Sequence, residues 1–386
     1  MSLLRLSFDV SAVPASPAGA GRYVVELHRA LSDRDDVEMV VWCRRNDERR
    51  WHPRQTGSVA ERGHPRVHSS APPARPLRLL WEQLRLPSLI ERSGAEVHHS
   101  PHYTMPEHSK LPVVVTIHDL TFLDRPEWHE SGKRLVFRRA IRLAAERAGA
   151  LVCVSQRTAD RLRELLEPAG RIFVVPHGID HSSFGPEDPG TDATIMAGLG
   201  VRPPYVLFVG TVEPRKGLPE LVRAFDRLAE PELRLVLAGG GGWGREELAG
   251  ALASIKRPSR VQRLGYVRDG AVPALIRNAA LVAYPAYEEG FGLPALEALA
   301  CGTPLVTTAG TAMADLAGGS AWLVPAGSSE LLADAMEGVL AGGADVSDRR
   351  ERGLAVARAH TWAACAEGHM AAYRFARDRG WARSAG

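Results

Sequence analysis

The chain has 386 residues, of which 45% are apolar and 24% are charged, and its formal net charge is +3. Because one hydrophobic core rarely serves so long a chain, we expect two domains of roughly 180 residues each. The small net charge argues against a nucleic-acid partner. No apolar run of about 18 residues is present, so no transmembrane helix is predicted.

The first residues, MSLLRLSFDV, are typical of a β-strand and not of a signal peptide, because no small-residue cleavage site follows them. Four cysteines are spread along the chain without the spacing of metal ligands: Cys43, Cys153, Cys301 and Cys365. Buried, reduced thiols are usual in a reducing compartment. We therefore expect a cytoplasmic protein.

In the first half of the chain, apolar β-branched runs alternate with helical patterns. Strands are predicted at Leu4–Val10, Val37–Cys43, Val113–Ile117, Leu151–Val154 and Ile172–Val175. Helices are predicted near Gly21–Leu31, Leu77–Glu91, Arg134–Arg147 and Thr158–Leu166. Alternation of this kind indicates a mostly parallel sheet that is covered on both faces.

The second half repeats this pattern after a polar, Pro- and Gly-rich segment, Ser182–Pro204, which is the best candidate for a linker. Strands are predicted at Tyr205–Val209, Leu233–Ala238, Val261–Leu264, Ala280–Tyr284 and Leu305–Thr307. The last segment, Thr361–Arg379, has Trp362, Ala366, Met370 and Tyr373 at the spacing of a buried helix face. We expect two doubly wound α/β domains with a cleft between them, over 1–183 and 184–360, followed by a terminal helix within 361–386.

The most informative segment is Tyr284–Thr308, YPAYEEGFGLPALEALACGTPLVTT. It places Glu289 and Glu297 eight residues apart across the start of a helix, with Pro294 near the first helical position. The unpaired backbone N–H groups at a helix start, together with the helix dipole, favour a phosphate or a polar sugar edge. Two carboxylates at such a place suit a nucleotide-sugar. Alternatively, both carboxylates only complement the helix dipole.

The E-x7-E pattern followed by ACGTP resembles the retaining glycosyltransferases of family 4, and the resemblance extends over essentially the whole chain. It implies the GT-B fold, in which two Rossmann-like doubly wound domains face a central cleft and the C-terminal helix crosses back to the first domain. It further implies that Glu289 contacts the transferred sugar and Glu297 the ribose hydroxyls. The donor would also contact the segment between the two carboxylates: Gly290, Phe291, Gly292 and Leu293.

A second motif, GTVEPRKG, follows the strand that opens the second domain. Gly210 permits the turn, and Arg215 and Lys216 stand just before the next helix. Ligands of parallel sheets bind at such carboxyl ends, where an Arg fork beside a Lys charge suits two phosphates. The resemblance implies that this pair holds the diphosphate. Lys216 is one of only four lysines among 48 basic residues, although an isolated basic turn is usually just solvated.

In the first domain, the predicted strand Val113–Ile117 ends in His118 and Asp119. His118 can donate a hydrogen bond to a sugar hydroxyl. The resemblance implies that it lies near the donor sugar and the reacting centre. Asp119 either orients this imidazole, approaches the acceptor or caps a helix.

Further toward the N-terminus, Gly19 and Gly21 precede a helix and allow close approach of a phosphate or an acceptor. Arg22 and Tyr23 follow as candidates for the acceptor side.

Two segments of the second domain are candidates for the nucleotide site. Gly239–Gly242 follow a strand and either approach the ribose or form a flexible turn. Val267 and Asp269 follow another strand, and the resemblance implies that backbone groups at Val267 read the base. A carboxylate at Asp269 suits the adjacent N–H donors of guanine. Asp269 is also a good cap for a helix that begins near Ala271.

Two basic amphipathic stretches, Arg75–Arg92 and Ser131–Arg147, lie in the first domain. Such helices can rest on an anionic membrane that presents a lipid-linked sugar, which would place the protein at the inner face of the membrane. The alternative is a helix with an Arg-rich solvent face.

The resemblance implies a retaining glycosyltransferase that moves a hexose from a nucleoside diphosphate sugar to a hydroxyl of a glycan or lipid-linked acceptor. The segment HDLTFLDRPEWH is similar to bacterial mannosyltransferases, so GDP-mannose is the first expectation for the donor and a UDP-hexose the second. No D-x-D motif lies near the site, and the family needs no divalent ion, so no metal or other cofactor is expected. A sugar-nucleotide epimerase, a phosphorylase or a non-catalytic binding protein are the competing hypotheses.

Overall fold

The structure is a computed structural model and describes residues 3–52, 65–129, 131–242 and 244–380. The chain forms two compact units. The first consists of the described parts of Met1–Gly178 and Trp362–Gly386, and the second is Ile179–Thr361. The predicted boundaries at 183 and 360 lie within five residues of these divisions.

Each unit is built on one parallel sheet. The strands of the first unit are β1 Leu4–Asp9, β2 Val37–Arg44, β3 Arg66–Ala71, β4 Val97–Ser100, β5 Val113–Ile117, β6 Ala150–Cys153 and β7 Arg171–Val174. Those of the second unit are β8 Tyr205–Val209, β9 Arg234–Ala238, β10 Val261–Gly265, β11 Leu281–Tyr284, β12 Leu305–Thr308 and β13 Trp322–Val324. All the pairings within the described residues are parallel, as predicted.

Helices connect the strands. In the first half they are α1 Ala20–Ser32, α2 Glu48–Trp51, α3 Arg75–Leu84, α4 Leu86–Arg92, α5 Thr121–Asp124, α6 Ser131–Arg147 and α7 Gln156–Leu165. They continue with α8 Asp192–Leu199, α9 Leu218–Arg227, α10 Arg245–Ser254, α11 Val272–Arg277, α12 Leu293–Ala300, α13 Ala312–Ala317, α14 Ser329–Leu340, α15 Ala344–Ala359 and α16 Trp362–Arg379. Within the ranges given above, no helix is both long and apolar enough to cross a membrane.

The strand order fixes where a ligand can approach. The first sheet runs β3-β2-β1-β4-β5-β6-β7 and the second runs β10-β9-β8-β11-β12-β13. In each sheet the order therefore reverses beside the first strand, between β1 and β4 and between β8 and β11. Open parallel sheets bind ligands at the carboxyl ends of the strands at such a reversal.

The core of the first unit includes the C-terminal helix. Leu6 and Phe8 of β1 and Leu27 of α1 are fully buried together with Met370 and Tyr373 of α16. This placement confirms the prediction that the terminal helix returns to the first domain. It also explains the apolar spacing in its sequence, because one helical face must be apolar to pack on a sheet.

The sequence located the apolar strands well and the polar ones poorly. Val113–Ile117 and Tyr205–Val209 agree to the residue, because strands buried on both faces give continuous apolar runs. Three strands were not predicted: β3 and β4 carry Ser and His, and β13 has only three residues. The four cysteines are buried and free, as expected.

Two predictions about elements were wrong. The helix predicted at Leu77–Glu91 is two helices that meet at Arg85, because Pro87 in the first turn of α4 has no N–H to continue the hydrogen bonds of α3. The segment Ser182–Pro204 is not a simple linker, since it contains α8. Asp192 of α8 forms a buried, bidentate ion pair with Arg277 of α11, at 2.8 and 2.9 Å. This pair ties the segment to the second unit.

Candidate active site

The predicted diphosphate residues lie on a tight turn at the carboxyl end of β8. Pro214, Arg215 and Lys216 form one 3₁₀ turn, which ends at Gly217 with φ 65°. A Cβ atom at Gly217 would lie 2.2 Å from the carbonyl oxygen of Pro285. Only glycine therefore permits this backbone conformation and this close approach. The contact packs the turn against the loop that follows β11, which carries Glu289.

The same contact brings Glu289 onto both cations. Glu289 Oε2 accepts two hydrogen bonds, one from Arg215 Nη1 at 2.6 Å and one from Lys216 Nζ. Arg215 Nη1 also donates to the Glu288 carbonyl at 3.1 Å, and Arg215 Nε donates to Glu213 at 2.7 Å. The structure thus brings Arg215, Lys216 and Glu289 together, although they are 73 and 74 residues apart in the chain.

Burial and charge act in opposite directions on this cluster. Burial by itself would raise the pKa of Glu289, but Arg215 and Lys216 outweigh it and lower the pKa to about 2. Burial, assisted by Arg215, lowers the pKa of Lys216 and is opposed by Glu289. Lys216 Nζ also lies 5.2 Å from the ring centre of Tyr284, a favourable cation–π distance. The carboxylate of Glu289 is therefore ionised at neutral pH.

The second carboxylate lies one turn inside α12. Gly292 caps this helix with φ 97°, and a Cβ atom there would lie 2.2 Å from Met313 Cγ. Glu297 is buried, with 1% of its surface exposed, and Phe291 and Leu293 are also buried. The start of α12 thus has the conformation that the E-x7-E pattern predicted. A buried carboxylate one turn inside a helix is suited to accept hydrogen bonds from hydroxyl groups.

Two of the glycines after β9, Gly239 and Gly242, pack closely against the loop that follows β8. A Cβ atom on Gly239 would lie 1.9 Å from Gly210 O, and one on Gly242 would lie 2.1 Å from Val212 O. The loops after β8, β9 and β10 are joined by backbone hydrogen bonds, including Gly239 N to Gly265 O at 2.7 Å. Beside them lies a pocket of about 510 Å³ with an apolar floor that includes Phe208 and Leu237. An apolar lining of this kind suits contact with a ring system.

The two residues proposed to recognise the base follow β10. Val267 is buried and Asp269 is exposed. The alternative that Asp269 caps a helix is wrong. The cap position of α11 is Ala271, and no side chain caps either α11 or the short turn Asp269–Ala271.

His118 lies in the first unit, at the carboxyl end of β5, and is buried. Its Nε2 donates to the Pro101 carbonyl at 2.8 Å, and burial lowers its pKa. The ring is therefore neutral with its proton on Nε2, so Nδ1 is an acceptor. Nδ1 can therefore accept a hydrogen bond from a hydroxyl group, and the prediction that the ring donates one to the sugar does not fit this tautomer.

The other candidates of the first unit are Asp119, Tyr23, Gly19 and Gly21. Asp119 accepts hydrogen bonds from Thr121 N at 3.1 Å and Thr121 Oγ1 at 2.7 Å, so it orders the start of α5 and does not orient the imidazole. Tyr23 is fully buried, so its assignment to the acceptor side is wrong. Gly19 caps α1 with φ 48°, and Gly21 packs on Pro17.

Sequence reasoning missed a buried chain of hydrogen bonds around Tyr23. Its hydroxyl lies 2.7 Å from His369 Nε2 and 2.9 Å from Thr116 Oγ1, and Thr116 Oγ1 lies 2.8 Å from His99 Nε2. The Tyr373 hydroxyl lies 2.8 Å from His99 Nδ1. The dipeptide His98–His99 inside β4 was the one signal, since polar side chains in a buried strand need partners.

No metal site is evident in the described ranges, where no three His, Cys, Asp or Glu side chains group as ligands. The sequence also gave no reason to single out Glu213, although it directly contacts Arg215.

Comparison with known proteins gives a consistent result in both halves. Residues 17–183 match the family model described as Glycosyltransferase Family 4, and residues 196–354 match the model described as Glycosyl transferases group 1. O-antigen chain mannosyltransferase B of Escherichia coli is 27% identical over 72% of this chain and 74% of its own length. D-inositol 3-phosphate glycosyltransferases of Actinosynnema mirum and Nocardia farcinica are 34% and 33% identical, over 60% and 68% of this chain. The chain spans only 58% and 61% of those two relatives.

Solved structures share the fold. A sucrose-phosphate synthase from Thermosynechococcus elongatus has a TM-score of 0.75 and 21% identity, over 96% of this chain and 98% of its own. The Anabaena protein HepE, solved with UDP and glucose, has a TM-score of 0.71 and 19% identity, over 95% and 98%. At these identities the likeness concerns the fold, which confirms the expected GT-B architecture.

Proposed function

We propose that this chain, a GT-B glycosyltransferase with a family 4 domain followed by a group 1 domain, is a hexosyltransferase. It transfers a hexose from a nucleoside diphosphate sugar to a hydroxyl group with retention of configuration. GDP-mannose is the proposed donor, and a glycan or a lipid-linked sugar is the proposed acceptor. No divalent ion takes part in this proposal.

One observation carries the proposal: Arg215, Lys216 and Glu289 meet where the strand order of the second sheet reverses, between β8 and β11. Two cations at the carboxyl ends of these strands suit the two phosphates of a donor. As the sugar–phosphate bond breaks, its electron pair moves to the phosphate oxygen. The charge that builds up there is stabilised by Arg215 and Lys216.

The remaining roles follow from position. Glu289 adjoins the cations, so its carboxylate can accept from the sugar hydroxyls once the diphosphate occupies Arg215 and Lys216. Glu297 is assigned to the ribose. The pocket beside β9 and β10 is assigned to the base; it is lined by Gly265, which precedes Val267 and Asp269 in the chain. His118 is our candidate for a further contact with the sugar.

The choice of donor draws on the relatives and on Asp269. Mannosyltransferase B supports mannose, while HepE, which was solved with UDP and glucose, supports a UDP-hexose as the runner-up. Since Asp269 is exposed and caps no helix, its carboxylate is available to the two adjacent N–H donors of guanine.

Calorimetry with GDP, UDP, ADP and TDP, without metal and then with magnesium, tests this proposal. We expect metal-independent binding of GDP in preference to the others. Asp269→Asn should weaken GDP binding roughly tenfold and leave UDP binding unchanged, because it removes the acceptor for one guanine N–H. A preference for UDP would move the donor to a UDP-hexose. Binding of none would reject a nucleotide site.

We also propose that the surface formed by α3 and α6 rests on an anionic membrane. Leu77, Leu80 and Leu84 are more than half exposed and form one stripe on α3, and Leu135 of α6 is 75% exposed. Arg75 of α3 lies 5.1 Å from the Phe137 ring of α6, so the two helices are neighbours. Exposed leucines beside arginines suit a lipid surface with negative headgroups.

Co-sedimentation with vesicles tests the membrane proposal. We expect the protein to bind vesicles that contain phosphatidylglycerol and not pure phosphatidylcholine vesicles. The double variant Leu80→Asp and Leu84→Asp should lose this binding. Leu331→Asp, at an exposed leucine of the second unit, is the matched control. Equal binding by wild type and the double variant would exclude this surface.

A further inference from the structure

The turn that carries Arg215 contains a second carboxylate whose role the proposed function leaves unexplained. Glu213 precedes the 3₁₀ turn, and its carbonyl accepts from Lys216 N at 3.0 Å. Its side chain accepts from Arg215 Nε at 2.7 Å, and both side chains are only 14% exposed. An ion pair this sheltered is screened less by salt than one at the surface.

The turn is held rigidly, so this pairing is a fixed feature of the site. The backbone carbonyl of Arg215 accepts from Tyr287 N at 2.8 Å. On the other side Pro214 packs so closely on Gly244 that a Cβ atom there would lie 2.7 Å from the proline ring. With the backbone held at both sides, Glu213 determines how the guanidinium is turned. It occupies the Nε edge, so Nη1 is directed at Glu289.

The charges of the cluster balance. Arg215 and Lys216 carry two positive charges, and Glu213 and Glu289 carry two negative charges within direct hydrogen-bond contact. When a diphosphate replaces Glu289 on the cations, Glu213 stays, because it binds a different edge of the guanidinium. The diphosphate then meets a site whose positive charge is partly offset.

We propose that Glu213 is a positioning and charge-balancing residue for the nucleoside diphosphate, a role that rests on the proposed function. It fixes Arg215 by its Nε edge, and it limits the affinity of the site for the released product. This matters because the product diphosphate carries one more negative charge than the donor once the sugar has left. Two uncompensated cations would hold that product and slow each turnover.

Glu213→Gln tests the charge of Glu213 separately from its contact with Arg215. The amide oxygen of Gln can still accept from Arg215 Nε, so the guanidinium keeps its orientation while the negative charge is lost. We expect GDP or UDP, whichever the wild type prefers, to bind this variant about tenfold more tightly in calorimetry. The dependence of the dissociation constant on salt should become steeper. Damage to the fold would weaken binding, so the direction of change is diagnostic.

Two further variants complete the test. Glu213→Asp keeps the charge but shortens the reach to Arg215 Nε, so it should not gain affinity for the nucleotide; binding tenfold tighter than that of the wild type would overturn the proposal even if Glu213→Gln did not fold. Glu330→Gln, at an exposed ion pair with Arg227, is the control for loss of one charge and should bind as the wild type does. Unchanged or weaker binding by Glu213→Gln would overturn the role of Glu213 alone. Failure of the wild type to bind any nucleotide would overturn the proposed function, and this inference with it.

Discussion

Lys216 is a buried cation whose neighbours compensate its charge. It is 4% exposed, bonded to Glu289 and placed over the ring of Tyr284. A lysine so enclosed loses hydration that its partners must replace. Its retention in a chain whose other basic residues are mostly Arg is consistent with a compact charge being needed at this position.

Lys216→Ala should reduce turnover by about 10²–10³-fold, because it removes one of the two groups proposed to stabilise the departing diphosphate. The fold should survive, since Arg215 still neutralises Glu289. Steady-state kinetics with the donor identified by calorimetry would measure the loss. Lys256→Ala, at an exposed lysine of the same unit, should have wild-type turnover. Unchanged turnover of Lys216→Ala would contradict the proposal that Lys216 stabilises the departing diphosphate.

At Gly292 the addition of a single methyl group would disturb the start of α12 directly. Gly292→Ala would force a side chain into φ 97° and against Met313. We expect a loss of about 1–3 kcal/mol in the free energy of unfolding and weaker donor binding, since the start of α12 must shift. Chemical denaturation measures the first effect. Gly270→Ala, with open space around its Cβ position and no left-handed φ, should be nearly neutral.

Among elements, α16 depends on a chain of hydrogen bonds whose direction can be deduced. The Cys365 carbonyl can only accept, so His369 Nδ1 donates to it at 2.8 Å and Nε2 must accept from the Tyr23 hydroxyl. The Tyr23 oxygen then accepts from Thr116, which in turn accepts from His99 Nε2. His99 Nδ1 is left to accept from Tyr373. The position of each proton in the chain of hydrogen bonds is therefore determined. The chain links α1, β4, β5 and α16.

Tyr373→Phe should reduce the free energy of unfolding by about 1–3 kcal/mol, because it leaves His99 Nδ1 buried without its donor. Urea denaturation would measure this change. Tyr266→Phe removes a hydroxyl from a side chain that is 52% exposed and should change stability by less than about 0.5 kcal/mol. Equal stability of the two variants would contradict the deduced chain.

The same elements predict how stability depends on pH. Burial lowers the pKa of six buried histidines of the first unit, to about 4 for His28 and His369, to about 3 for His98, and below 6.5 for His99, His118 and His177. Below pH 6.5 the unfolded chain takes up protons that the folded chain excludes. Stability should therefore fall as the pH falls below about 6.5, because each of these histidines is protonated in the unfolded chain before it is protonated in the folded one.

Two carboxyl groups oppose this trend. Burial, opposed by Arg78, raises the pKa of Glu82 to about 7, and burial also raises the pKa of Asp9, so both groups stabilise the fold as they take up protons. Six histidines outweigh them. Urea denaturation at pH 7 and pH 5 would measure the difference, and equal or higher stability at pH 5 would contradict the prediction.

The elements also show what the sequence could and could not reveal. Strands such as β5 and β8 are apolar throughout, so their burial is visible in the sequence. In β4 the apolar signal is replaced by His98 and His99, whose partners Ser7 and Thr116 lie on other strands. The motifs similarly identified Arg215, Lys216 and Glu289 but assigned them to separate parts of the donor. Their mutual ion pairs depend on how two distant loops pack, which no local pattern encodes.

For the whole molecule, the division into units predicts unequal effects of truncation. The second unit is one continuous segment, Ile179–Thr361, whereas the first is completed by α16. A protein ending at Thr361 would expose the face of β4–β7 and α1 that Met370 and Tyr373 cover. We expect it to lose cooperative unfolding of the first unit while still binding the nucleotide through the second. Calorimetric unfolding and nucleotide titration of the same sample would show this, and loss of both properties would contradict it.

The return of α16 to the first sheet also has a consequence for biosynthesis. A ribosome releases the strands of the first unit early, but the helix that covers them emerges only after the entire second unit has been made. Until α16 has been synthesised, the apolar face of the first sheet that it covers stays exposed, whereas the second unit can fold as soon as it leaves the exit tunnel. We therefore expect the second unit to complete its folding before the first, although it is synthesised later. A chaperone would be expected to bind the exposed face of the first sheet in the meantime.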